Sequence, residues 1–284
     1  MQIKTSFQYF LPQHLLSRLI GKLAKSERVW LKNFLIDRFI KYYQIDMDTA
    51  IETAPHKYPN FNSLFTRALK PNTRPINTDK NAIISPVDAR ISQFGTINNS
   101  QLIQAKGSTF NLYSLLGIKL KDYADKFAHG NFITLYLSPS DYHRVHMPYP
   151  GQLLAMSHIP GKLFSVNNYA VNNIPQLFAR NERMAAIFAT KFGPIAIIMV
   201  GAMLVASIET VWTKAPISST KKLNYWDYSN QSITFARGEE IGRFQFGSTV
   251  ILIFPDNSLN WSENIILNSK IKMGEKLAVT SFEK

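Results

Sequence analysis

The stretch RFQFGSTVILIF, residues 243–254, reads as a strand interrupted by Gly247-Ser248-Thr249. A glycine inside a strand loses packing and marks a bulge, a bend or a close backbone approach. Ser248 carries a hydroxyl nucleophile, which needs a positioned base to become reactive. Two of the six histidines, His143 and His146, fall in YLSPSDYHRVHMPYPG, residues 136–151, which is predicted to be a loop following a strand. His-x-x-His alone is half a metal site, and no other segment supplies an obvious third ligand. Asp88 stands in the apolar run ISPVDARIS, residues 84–92. It is either a turn cap or partner of Arg90, or a carboxylate that orients a histidine. Asp88, one of the two histidines and Ser248 are therefore candidates for a charge relay. The serine has no G-x-S-x-G elbow around it. Its closest carbonyl is that of Gly247, so the first target of its hydroxyl is expected inside the chain itself.

Positioning these groups falls to a chain of 284 residues, 45% hydrophobic and 18% charged. That suits one large domain with an appendage. Turn residues gather in PNTRPINTDKNAIISP, and the main domain is predicted to begin near residue 71. From there short β-rich runs predominate: AIISPV, NFITLYLS, GQLLAMSHI, PIAIIMVGAMLVASI, STVILIF and IIL. The fold expected is α+β, mainly antiparallel β with a barrel-like or sandwich core, behind N-terminal amphipathic helices. The run IAIIMVGAMLVASI, residues 195–208, is shorter than the about 20 residues a spanning helix needs, and reads as buried strand. Within NIPQLFARNERMAAIFATKFG a helix is predicted over roughly Pro175–Ala189.

There is no cysteine, which excludes disulfides, thiolate metal sites and a cysteine nucleophile. The net charge of +13 calls for an anionic partner, nucleic acid or an acidic membrane surface. Residues 1–43 contain Lys4, Arg18, Lys22, Lys25, Arg28, Lys32, Arg38 and Lys41 against Glu27 and Asp37 only. Over residues 12–25, Leu15, Leu16, Leu19, Ile20 and Leu23 share one helical face, with Arg18, Lys22 and Lys25 toward the other. A second helix is predicted after a Ser26 N-cap, with Trp30, Phe34 and Phe39 repeating the pattern. Such helices either pack on the domain or lie in a membrane interface, apolar face among acyl chains and cations among headgroups. The opening MQIKTSFQYFLP lacks an unbroken apolar core with a cleavage site, so no secretory signal is expected.

Taken together, FGSTVILIF, LSPSDYHRVHMP, SPVDARI, YPNFNSLFTRALKPNTRPI and GKLFSVNN…LFARNERMAAIFAT…VGAMLVASIETVW resemble the bacterial phosphatidylserine decarboxylases. The likeness runs in consistent order from about residue 58 to residue 254. It implies a proenzyme cut at Gly247-Ser248 into a β chain, residues 1–247, and an α chain, residues 248–284. In that family the serine becomes a pyruvoyl group, which forms a Schiff base with the amine of phosphatidylserine; neither pyridoxal phosphate nor a metal takes part. Carried over, Asp88, His146 and Ser248 form the relay for self-cleavage, and His143 is the candidate acid in decarboxylation, the two histidine roles being exchangeable. Thr249 is placed to hold the oxyanion or the ester. The resemblance further implies a membrane-associating region over residues 1–70 and a catalytic domain over 71–284. The partners expected are phosphatidylserine, the anionic cytoplasmic face of the cell membrane and a heterodimer of the protein's own two chains, with no nucleic acid. Two rival readings stand beside it. A serine hydrolase would use Asp88, His146 and Ser248 without self-cleavage, and a non-enzymatic binding module would rest on charge alone.

Overall fold

The computed structural model describes residues 8–281 apart from 10, 106, 204–206, 214–221 and 246–247. The expected cleavage partner Gly247 therefore lies outside the described residues.

Helix α1 (Gln13–Ala24) forms where the leucine periodicity predicts it, but its buried stripe is Gln13, Ser17, Gly21 and Ala24. Leu15, Leu19 and Leu23 are about half exposed. The small and polar face packs inward because it meets backbone there: the Leu163 N–H donates to Gln13 Oε1 at 2.7 Å, and His14 Nε2 lies 2.9 Å from the Gly161 carbonyl. Helix α2 (Val29–Tyr43) buries Lys32, Ile36 and Phe39 and exposes Trp30 and Phe34. Its N-cap is Arg28 and not Ser26; the Arg28 N–H lies 3.4 Å from the Ser26 hydroxyl, two residues before the cap position. The short helix α3 (Phe61–Phe65) is capped by Asn60, whose Oδ1 accepts from the Ser63 N–H at 2.9 Å. Its Phe61, Leu64 and Phe65 join Ile36 and Phe39 in a core of their own.

The β-rich remainder opens with β1 (Ala82–Ile84), β2 (Ala89–Thr96) and the hairpin of β3 (Gln101–Ala105) and β4 (Ser108–Asn111). Strands β5 (Asn131–Leu137), β6 (Arg144–His146), β7 (Gly151–Ile159), β8 (Arg183–Thr190) and β9 (Gly193–Val200) follow. After them come β10 (Ile208–Thr210), β11 (Asn224–Asp227), β12 (Thr234–Phe235), β13 (Glu240–Phe244) and β14 (Ser248–Phe254). Three short strands, β15 (Leu259–Trp261), β16 (Lys270–Ile271) and β17 (Lys276–Thr280), complete the described chain.

The main sheet runs β11-β7-β8-β9-β14-β5-β2-β16, with β12 also on β7, and every pairing is antiparallel. Among the described residues it stays open and does not close into a barrel. Smaller sheets, β10-β13-β6 and β1-β17-β15, accompany it. Side chains alternate across a strand. On β14, Val250, Leu252 and Phe254 enter one core with Ile133, Leu135, Val145 and Phe244, while Ile251 and Ile253 enter another with Phe132 and Ile198. Both faces are covered, which is why STVILIF carries no polar alternation.

Three expectations change. The run over 195–208, read as one buried strand, is strand only to Val200 in β9 and again at Ile208 in β10, with 201–203 outside any strand. The predicted helix over Pro175–Ala189 is only Leu177–Arg180, and Arg183–Thr190 is strand β8 between β7 and β9. Its Ala and Met residues favour helix locally, but pairing on both edges overrides a weak propensity. The IIL run at 265–267 is turn and coil, with Ile266 and Leu267 exposed.

Candidate active site

Strand β6 ends on His146 and His143 immediately precedes it, so part of the predicted loop is sheet. The turn before it is closed by Asp141, whose Oδ2 accepts from the Ser138 N–H at 2.7 Å and from the Ser138 hydroxyl at 2.8 Å. Backbone pairing of β6 with β13 then fixes both imidazoles against the strand that leads toward Ser248. The Phe244 N–H donates to the His143 carbonyl at 3.1 Å.

His143 is fully buried, with the Phe65 ring 4.1 Å away between centroids. Its Nδ1 is 2.8 Å from the Asp141 carbonyl, an acceptor only, so Nδ1 bears the hydrogen. Nε2 keeps its lone pair and has no hydrogen-bond partner. Burial pushes the pKa of His143 down to about 3, with the nearby Arg67 charge acting in the same direction. His146 is buried too and also titrates below its ordinary range, chiefly through desolvation. Its Nδ1–H donates to the Gly238 carbonyl at 2.8 Å, and its Nε2 accepts from the Tyr142 hydroxyl at 3.0 Å. Gly238 turns that carbonyl toward the ring at φ +82°, a conformation suited to glycine. Both imidazoles are neutral near pH 7, the form able to accept a proton.

Asp88 is held elsewhere. Arg74 Nε donates to Oδ1 at 2.8 Å and to Oδ2 at 3.0 Å, Nη2 donates to Oδ2 at 2.5 Å, and the Met273 N–H reaches Oδ1 at 2.9 Å. The expected Arg90 pairing does not form; Arg90 Nη1 donates to the Asn268 carbonyl. The structure thus brings Asp88 into the electrostatic surroundings of His146 without a hydrogen bond between them. The neighbouring Tyr142 hydroxyl occupies the imidazole nitrogen, and a fork of arginine occupies the carboxylate.

Ser248 opens β14 and has no accessible surface; its Oγ makes no hydrogen bond. Thr249 Oγ1 and Thr134 Oγ1, both buried close by in the sheet, are equally unpartnered. By alternation Ser248 faces the core that contains Val145 and Phe244, on the side of β6 and β13. Leaving a buried hydroxyl unpaired costs about 1–3 kcal/mol. The Ser248 oxygen and the His143 Nε2 are thus both buried polar atoms without a partner. On the face of the sheet shared by Tyr136 and Thr249, an apolar pocket of ≈ 290 Å³ is bounded by Phe39 and Tyr43 of α2, Phe65 of α3, Tyr136, Val166 and Met203. Phe65 thereby links the pocket to His143, and Tyr136 links it to Thr249, its pair across β5 and β14. Sequence reasoning missed Arg74, Tyr142 and Gly238, the groups that hold Asp88 and His146. Tyr142 stood in the loop with the histidines, whereas nothing local marked the other two.

The site thus comprises an open antiparallel sheet, a buried serine at a strand start and two buried neutral histidines at the neighbouring strand β6. Comparison with known proteins points to one family. The family model described as phosphatidylserine decarboxylase matches residues 61–279, and a second, described as PSD, matches residues 3–44. A phosphatidylserine decarboxylase proenzyme of Psychromonas ingrahamii is 48% identical over 278 residues, covering 98% of this chain and 97% of that protein. Proteins of the same name from Saccharophagus degradans and Shewanella baltica are each 46% identical, over 274 and 282 residues. These alignments cover 96% and 98% of this chain and 96% of each relative. The chain belongs to the phosphatidylserine decarboxylase family.

Proposed function

We propose that the chain converts phosphatidylserine to phosphatidylethanolamine with a pyruvoyl group that it makes from its own Ser248. The observation that carries this reading is the Ser248 hydroxyl, sealed from solvent and without a hydrogen bond at the first position of a fully buried strand. Such a group is costly to a fold and is out of reach of an external ester. The carbonyl bonded to its own nitrogen is the one a local acyl shift would use.

In the first step Ser248 Oγ bonds to the Gly247 carbonyl carbon while the bond from that carbon to the Ser248 nitrogen breaks. The hydroxyl proton leaves to a histidine, and the nitrogen emerges as an amine. Loss of the Ser248 Cα hydrogen then expels the Gly247 carboxylate, and water replaces the nitrogen as ammonia. The chain ending at residue 247 and the chain beginning at 248 stay together, because β14 pairs with β5 along seven residues and with β9 along five. The pyruvoyl group supplies an electrophilic carbonyl that captures the substrate's primary amine and accepts the electron pair released with CO₂.

His146, oriented by the Gly238 carbonyl and with Asp88 acting on it through charge, takes the hydroxyl proton, and His143 delivers a proton to the substrate's Cα after CO₂ departs. For His146 to act, its Nε2 exchanges the Tyr142 hydroxyl for Ser248. A second assignment, His143 as the base, is favoured by one observation: its Nε2 already has a free lone pair. A denaturing gel separates them. His146→Ala and Asp88→Ala remain single chains under the first assignment while His143→Ala is cut; the reverse pattern establishes the second.

The two N-terminal helices attach the enzyme peripherally to the anionic cytoplasmic face of the cell membrane. Support comes from Leu15, Leu19, Leu23, Trp30 and Phe34, exposed on a segment rich in Lys and Arg. No described helix is long and apolar enough to cross a membrane.

A further inference from the structure

Arg67 follows α3 in SLFTRALK and is 6% exposed, yet its Nε and Nη1 are sealed atoms with no hydrogen-bond partner. Buried guanidinium groups are ordinarily paired, because an uncompensated buried charge is strongly destabilising. The residue lines a cleft of ≈ 360 Å³ together with Tyr58, Thr66, Arg144, Glu209 and Arg243. The other two arginines of that cleft are satisfied: Arg144 donates to Glu240 at 2.7 Å and to the Thr66 carbonyl at 3.0 Å, and Arg243 donates to Glu209 at 2.5 Å. Arg67 forms no ion pair among the described residues. Its charge is felt at His143 and lies within the electrostatic range of Asp88, Arg74 and Tyr142. An unmatched cation thus sits beside the candidate acid of the reaction, and burial lowers its pKa, which an incoming anion would reverse.

We infer that Arg67 is the receptor for the phosphodiester anion of the substrate headgroup. This rests on the decarboxylase reading proposed above. The headgroup offers two anions near the reacting carbon. The carboxylate leaves as neutral CO₂, so a guanidinium bound to it would stabilise the ground state over the transition state. The phosphodiester, separated from Cα by one carbon and one oxygen, keeps its charge throughout. A cation reserved for it binds ground and transition states equally, which lowers KM and leaves kcat unchanged. Arginine suits the task through its planar fork of donors, which lysine lacks.

The test uses the full chain in two forms. In the cut enzyme, Arg67→Met is expected to raise KM for phosphatidylserine in mixed micelles at least about tenfold, with kcat within about twofold. Arg67→Lys, which retains the charge, recovers part of that loss and serves if the methionine variant fails to fold. In the uncut Ser248→Ala chain, glycerophosphoethanolamine is expected to raise the melting temperature, and Arg67→Met removes that rise. This arm needs no self-cleavage, so its outcome is independent of the decarboxylase reading. Inorganic phosphate and ethanolamine alone are expected to give no comparable rise. A fall in kcat at constant KM, or an unchanged response of Arg67→Met to glycerophosphoethanolamine, overturns the inference. An equal response to inorganic phosphate reassigns the site to free phosphate and overturns it as well.

Discussion

Helix α1 and the start of β14 place side chains on opposite sides of the rule that apolar groups go inside. On α1 the leucines at 15, 19 and 23 face outward while Gln13, Ser17 and Gly21 are buried. On β14 the hydroxyls of Ser248 and Thr249 are sealed inside without partners. Neither arrangement stabilises an isolated chain in water: half-exposed leucines forgo about half of the roughly 1.5–3 kcal/mol that full burial gives, and unpaired hydroxyls add a desolvation cost. Between them, two apolar cores cover the faces of the main sheet. Departures of this kind point to work done after folding, outward against a surface at α1 and inward on the backbone at β14.

Breaking the inner departure has the largest expected effect. Ser248→Ala fills the site with a residue that packs as well and has no Oγ to begin the acyl shift. It is expected to leave one uncut chain with no decarboxylase activity while folding normally, checked by gel, CO₂ release and thermal melting. A cut Ser248→Ala chain would separate the buried hydroxyl from the chemistry.

Altering the outer departure comes next. Leu15→Ser, Leu19→Ser and Leu23→Ser together are expected to lower pelleting with anionic vesicles at least about tenfold, since burying the exposed half of each leucine contributes about 0.8 kcal/mol or more. Self-cleavage is expected to be unaffected, because the substituted face touches no part of the active site. Added salt weakens the remaining attachment by screening the Lys and Arg contribution. Unchanged pelleting would mean that the leucines do not meet lipid.

A smaller effect is expected from acid. His143 titrates at about 3 in the folded protein and near 6.5 when unfolded. As pH falls the unfolded chain takes up the proton first, so the stability tied to neutral His143 is present above about pH 6.5 and is lost progressively toward about pH 3. Replacing His143 with Gln is expected to flatten the fall in melting temperature over that window. An equally steep fall would place the buried-histidine effect elsewhere.

How much of this was legible varied by region. The periodicity of α1 was plain in the sequence, but which face turns inward was not, because a helix docked by its apolar stripe and one docked by its small residues have the same spacing. Strands β5, β7, β9 and β14 of the main sheet were readable as apolar runs bounded by turns. Strand β8 was not, since MAAIFAT has helix-forming residues and only its pairing to β7 and β9 makes it sheet. At the site, Ser248, His143, His146 and Asp88 stood out by type and context. Their partners did not: Arg74 lies fourteen residues before Asp88, and Gly238 contributes a carbonyl that any residue possesses. Arg67 carried a faint signal, a cation in the apolar run SLFTRAL, but only the folded chain reveals that it is buried without a partner.

The most direct measurement is the intact mass of the purified wild-type protein under denaturing conditions. Two species are expected, one spanning residues 1–247 and one spanning 248–284. The smaller should be about 17 Da lighter than a fragment beginning with an ordinary serine, the difference between an amine-bearing seryl and a pyruvoyl terminus. A single active species at the full 32.3 kDa would contradict the account, because Ser248 would then never have been converted.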